Sequence, residues 1–84
     1  MADPVHYDHP PPRLWKTGEE LRVKCEGRTV NAHVILASRN GGSLAIGFEA
    51  ILAGHAGMMP LLWNQRERRF ESLFGHVVEL IEPS

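Results

Sequence analysis

Few side chains in this sequence combine the residue types and spacing that chemistry needs. His6, Asp8 and His9 supply two imidazoles and a carboxylate, the donor types of a zinc site. They stand beside Pro10-Pro11-Pro12, with no fixed geometry and no third imidazole close by, so no metal site is expected. Cys25 with His33 or His76 would be a nucleophile and its base. The local alternation instead sets Cys25 on the apolar face of a strand, where a lone thiol is a small core residue. Gly41-Gly42-Ser43 has the composition of a phosphate cradle, yet neither a lysine nor a helix start follows it, and it reads as a hairpin turn. No catalytic pair and no cofactor are expected, and the chain reads as non-enzymatic.

The remaining chemistry is that of binding. Arg66-Glu67-Arg68-Arg69 puts three guanidinium groups into one short polar segment. Such groups suit an acidic partner or a phosphate backbone. If residues 64–69 form a turn, Trp63 and Phe70 face each other across two strands, and Met59, Leu61, Trp63 and Phe70 make an apolar stripe beside the arginines. Upstream, Ala53-Gly54-His55-Ala56-Gly57 reads as a glycine-bounded loop exposing one histidine. The expected partner-binding set is therefore Trp63, Arg66, Arg68, Arg69, Phe70 and His55.

The elements that must position these residues fit one small domain. At 84 residues the chain buries only somewhat more than ~60% of its unfolded surface. Nine Lys plus Arg against ten Asp plus Glu leave no global field to draw nucleic acid or an anionic membrane. The single cysteine forms no internal disulfide, and a reducing cytoplasm is the expected compartment. The longest apolar stretch is broken by Gly54 and Gly57 and ends at Arg66, well short of the ~20 residues of a membrane helix.

Composition shifts once along the chain. Residues 1–16 hold four of the six prolines and two of the five histidines, and read as a disordered proline-rich arm. Residues 17–84 read as a small β-barrel domain. Leu21, Val23 and Cys25 alternate with Arg22 and Lys24 as a half-buried strand does. Two alternating runs in residues 29–52 then flank Asn40-Gly41-Gly42. A three-residue loop there pairs Leu36 with Ile46, Val34 with Phe48 and Ala32 with Ala50, and asks for a left-handed Gly42. Residues 58–63 form a strand in which Pro60, lacking an N–H, requires an edge or a bulge. Residues 70–73 are a candidate short strand and residues 77–81 the last one. The rival is a helix over residues 48–59, where Phe48, Ile51, Leu52 and His55 fall at helical spacing, but Gly54 and Gly57 weigh against it. The expected fold is all-β, a five-stranded barrel that closes on itself.

With these residues in place a resemblance can be stated. Residues 18–49, with the strand Leu21-Arg22-Val23-Lys24-Cys25, the turn Glu26-Gly27-Arg28 and a long hairpin, resemble the first three strands of the SH3-like and Sm-like small barrels. Leu73-Phe74-Gly75-His76-Val77-Val78-Glu79-Leu80-Ile81 is similar to the end of an SH3 domain. The paired tryptophan and acidic loop of SH3 ligand recognition have no counterpart here. Ser38 and Asn40 stand near the hairpin loop, where Sm proteins carry Asp and Asn. A second resemblance is to PilZ barrels: Leu36-Ala37-Ser38-Arg39-Asn40-Gly41 keeps their Ser and Gly but has Leu36 at the acidic or amide position. The upstream arginine pair is also missing, so this resemblance implies a degenerate barrel without cyclic di-GMP.

The functional expectation is a non-enzymatic protein-interaction module, an accessory or subunit of a larger bacterial or phage assembly. Its partner is expected to be a protein, not a membrane. The alternatives are a nucleic-acid-binding small barrel and the degenerate PilZ-like domain.

Overall fold

The structure, a computed structural model, describes residues 8–83. Six antiparallel strands follow one another around a closed barrel: β1 (Glu20–Cys25), β2 (Arg28–Ala37), β3 (Ser43–Leu52), β4 (His55–Asn64), β5 (Arg69–Ser72) and β6 (Val77–Ile81). β1 closes the ring by pairing with β6, so that Val23 stands opposite both Val30 and Leu80. The all-β barrel expected from alternation is present, with six strands where five were expected. The extra strand is β5, whose four residues are too few to show a period.

No helix occurs among the described residues. The helical spacing in residues 48–59 is overridden by a hairpin in which Leu52 pairs with His55 and Ile51 with Ala56. The turn consists of Ala53 and Gly54, both with positive φ (50° and 80°). That is the requirement of a type I′ turn, whose twist matches the strands it joins. A glycine at the second position therefore marks a hairpin here and not a weak point in a helix.

The interior is filled by inward side chains from every strand, among them Leu21, Val23, Val34, Ile46, Leu52, Met59, Leu61, Phe70 and Val78. Each large apolar side chain fully buried contributes roughly 1.5–3 kcal/mol, and a barrel of this size is a packed core with no pore. Trp15 belongs to this core, at 5% exposure. The expected boundary of a disordered arm at residue 16 thus falls inside packed structure. A bulky indole offers more apolar area than any other residue in the first twenty, enough to offset the ordering of the segment that carries it. The earlier part of the expected arm, residues 1–7, lies outside the described residues.

The β2–β3 hairpin departs from the expected register. Ala37 pairs with Leu44 and Leu36 with Ala45, a bulge intervenes, and Val34 then pairs with Ile46 and His33 with Gly47. The bulge adds one residue to β2, so Ile35 and Leu36 both face outward and Val34 returns to the interior. Leu36 is accordingly 65% exposed. The loop also differs. Ser38 N–H donates to the Ser43 carbonyl (2.8 Å) and Ser43 N–H to Ser38 Oγ (3.0 Å), leaving four residues, 39–42, in the loop. The left-handed residue is Gly41 (φ 76°), not Gly42.

Pro60 obeys the rule that predicts an edge. It pairs with Ala45 of β3, but β5 ends opposite Leu61, so at Pro60 the strand has a ladder neighbour on one side only.

Candidate functional site

The β4–β5 hairpin carries most of the expected binding residues. Trp63 pairs with Phe70 and Asn64 with Arg69, so residues 65–68 form the turn. Asn64 Oδ1 accepts from Glu67 N–H (3.1 Å), a local side-chain bond that starts the turn. Arg68 closes it in the left-handed region (φ 56°). The two rings meet edge to face, with centroids 5.0 Å apart and planes at 63°. The expected juxtaposition is therefore present, with an asymmetry: Phe70 is buried in the core and Trp63 is half-buried with an exposed rim.

The three arginines differ in their neighbours. Arg69 Nε bonds Glu71 Oε2 (2.9 Å), and that carboxylate also accepts from Asn64 Nδ2 (3.2 Å). Both bonds favour the ionised form, and the arginine more so, which holds Glu71 below the ordinary glutamate value of 4.5. Arg68 turns toward the N-terminal segment, its guanidinium 3.5 Å from His9 Nδ1. Arg66 is exposed on the turn beside Gln65.

His55 is placed elsewhere. Its glycine-bounded segment is not a loop: only residues 53 and 54 turn, and His55 opens β4 with its ring stacked on Phe74 (4.6 Å between centroids, 23° between planes). It is 8% exposed, and it lies eight positions along β4 from Trp63, up to roughly 26 Å of extended strand. His55 is not part of the surface at the Trp63 end.

What the sequence reading missed is the segment that covers this end. Residues 8–15 run across the β4–β5 hairpin. Asp8 N–H donates to Gln65 Oε1 (3.1 Å), and Trp63 Nε1–H donates to the backbone carbonyl of His9 (2.7 Å). Pro10 and Pro12 line the crevice between Trp63 and Arg68, and Pro11 is buried. Arg13 fixes the far end. Its guanidinium lies 3.6 Å from the Trp15 ring centroid and pairs with Glu19 (2.7 Å) and Glu82 (3.0 Å). The Arg13 bond, followed by the Lys16 backbone N–H, holds Glu19 below 4.5. Between this strap and β5–β6 lies a cleft of about 470 Å³, lined by Trp15, Trp63, Phe70 and Leu80 with Arg13 and Arg68 at its walls. The signal for the strap was in the sequence: a tryptophan three residues after a proline run, in a chain too small to leave its aromatics outside.

The rejected chemistries can be placed as well. Cys25 is 1% exposed, and burial, with the nearby Glu26 carboxylate adding to it, pushes its thiol up from 9.0. His76 Nε2 pairs instead with Glu26 Oε1 (2.8 Å). Among the described residues no group of three or more His, Cys, Asp or Glu is gathered as a metal site, and no helix is long and apolar enough to cross a membrane. A second exposed surface follows from the β2 bulge. Ile35, Leu36, Met58 and Leu62 face outward with Ala45 and Pro60 between them, an apolar band across β2, β3 and β4.

In comparisons with known proteins, no family model, no curated protein and no solved structure matches this chain.

Proposed function

We propose that this chain is a non-enzymatic protein-interaction module whose binding surface is the Trp63 end of the barrel, with Arg66, Arg68 and Arg69 around it. One observation carries the reading: the indole N–H of Trp63 is already committed to the backbone carbonyl of His9, in a segment that lies outside the strands. A surface that holds a peptide backbone in this way has the donor, the flat apolar wall and the flanking cations that peptide recognition uses. Loops on a rigid barrel are where such binding concentrates. The apolar band over Leu36 and Leu62 supports an interaction role too, because monomeric soluble proteins seldom leave continuous apolar area without a use.

The nucleic-acid alternative is weaker on this geometry. Base stacking needs open ring faces. Phe70 is buried, which leaves Trp63 as one half-buried ring, and Arg69 is paired with Glu71.

The test compares a tagged chain with its Arg66→Ser/Arg68→Ser/Arg69→Ser variant in capture from native host extract, with bound proteins identified by mass spectrometry. Exposed charges contribute little to folding, so the melting temperature should fall only slightly, through loss of the Arg69–Glu71 pair, while captured partners fall away. Unchanged capture, with unchanged salt sensitivity, would move the binding face elsewhere.

A further inference from the structure

We propose that the Trp63 face is a receptor for proline-rich peptide segments, and that the chain's own residues 8–12 occupy it as a tethered competitor. This inference rests on the reading of the Trp63 end as the interaction surface and names its partner by chemistry.

The occupant seen in place is the basis. His9 offers its carbonyl to Trp63 Nε1–H at 2.7 Å, and the residues that follow are Pro10, Pro11 and Pro12. A proline run is extended before it binds, has no N–H groups to desolvate and leaves its carbonyls free to accept, so it loses little entropy on docking. An aromatic wall with an N–H donor is the complement of such a segment. Pro10 and Pro12 form one wall of an open crevice whose other wall is Trp63 and Arg68, and both prolines are exposed. The charged and aromatic anchors come later in the chain, at Arg13 and Trp15, and of residues 8–12 only Pro11 is buried, so this is the part that can lift while the barrel stays closed.

A tethered ligand competes at an effective concentration near the millimolar range, so even a weak intramolecular contact holds off weak partners. The intramolecular fit is incomplete at one point. Arg68 faces the His9 imidazole at 3.5 Å, a long contact between a guanidinium and a group that is not an anion. A carboxylate at that position would instead accept a charge-assisted bond from Arg68. The partner that displaces the strap is therefore a proline-rich segment with Asp or Glu immediately before the prolines.

The experiment uses the full chain. Pro10→Ser/Pro12→Ser changes two exposed residues and loosens the strap without touching the core. Synthetic peptides of residues 8–13, with His9 either retained or replaced by Glu, are titrated into both proteins. Binding is followed at the Trp63 indole N–H resonance by nuclear magnetic resonance. The loosened variant should bind the parent peptide, and the wild type should bind it about tenfold more weakly, because a docked strap reduces the competent fraction. The Glu peptide should bind several-fold tighter than its parent, and Arg68→Ser should abolish that difference. No movement of the Trp63 resonance in the loosened variant with either peptide overturns the proposal. So does equal binding of a peptide with both Pro10 and Pro12 replaced by Ala. The two readings fail separately. Arginine-dependent capture without peptide binding removes the proline-rich partner and leaves the surface standing, whereas peptide binding with arginine-independent capture supports this receptor and removes that surface as the site of capture.

Discussion

The guanidinium of Arg13 lies 3.6 Å over the ring of Trp15, and that ring is in the core of the barrel. The pair ties the N-terminal segment to both ends of the folded chain, since Arg13 also reaches Glu19 before β1 and Glu82 after β6. Trp15→Ala should cost about 3–5 kcal/mol, as a large buried aromatic does when it leaves a cavity. Pro10→Ser/Pro12→Ser should leave the melting temperature nearly unchanged, because both residues are exposed and neither belongs to the core cluster. Urea unfolding of both variants checks the pair of outcomes. A Trp15→Ala variant as stable as the wild type would return residues 13–16 to a loose arm.

The hairpin register makes the opposite prediction for two residues that look alike in the sequence. Ile46 is fully buried and Leu36 is 65% exposed. Ile46→Ala should cost roughly 2–5 kcal/mol, while Leu36→Ser should stay within about 0.5 kcal/mol. At the turn, Gly41→Ala should cost on the order of 1–2 kcal/mol, since a Cβ there meets a left-handed φ and the Leu14 side chain at 2.5 Å. Chemical denaturation of the three single variants decides the matter. A Leu36→Ser variant as damaged as Ile46→Ala would restore unbroken alternation along β2.

How much of this was legible in the sequence follows from what alternation can and cannot carry. Period two placed Leu21, Val23, Cys25, Leu44, Ile46 and Phe48 correctly, because those runs are unbroken and each strand has one buried face. It misplaced Leu36 because a bulge inserts a residue without any compositional mark, and every parity beyond it reverses. The Trp63–Phe70 pairing was legible from the polar turn between them. His55 was misread because flanking glycines suggest a loop, whereas Gly54 serves a two-residue turn and the histidine belongs to the strand after it. The strap was invisible to periodicity, since a proline run has no face; Trp15 was its one sequence signal, and the contact with Trp63, more than fifty residues away in sequence, shows where the residues before it lie.

Cys25 should be chemically silent in the folded protein. At 1% exposure, with its thiol pushed up by burial, little thiolate forms and none of it meets solvent. Labelling with a thiol-reactive chromogenic disulfide should proceed only as fast as the barrel opens, and should accelerate with denaturant. Fast stoichiometric labelling in native buffer would mean that β1 and β6 part at Cys25, where the barrel closes.

Acid should weaken the fold through Glu19 and Glu71, and the direction can be worked out from their partners. Hydrogen bonds from Arg13 and Arg69 hold these carboxyls below 4.5 in the folded protein. In the unfolded chain the bonds are gone and the ordinary value returns, so as pH falls below 4.5 the unfolded state takes up protons first. The stability these pairs contribute is therefore present above 4.5 and is lost as pH falls from there through the lowered folded values. Both carboxylates are only partly buried, so each effect is small, but it has a shape. Glu19→Gln should lower the melting temperature at neutral pH and leave it unchanged once the wild-type carboxyl is protonated. The two curves of melting temperature against pH should therefore converge on the acid side. Glu71→Gln should behave in the same way, without altering the Arg13 contacts. Curves that stay parallel across the acid range would mean that the arginine bonds in the folded protein do not set these carboxyls, and that Arg13 holds the N-terminal segment by its stacking on Trp15 and its pairing with Glu82.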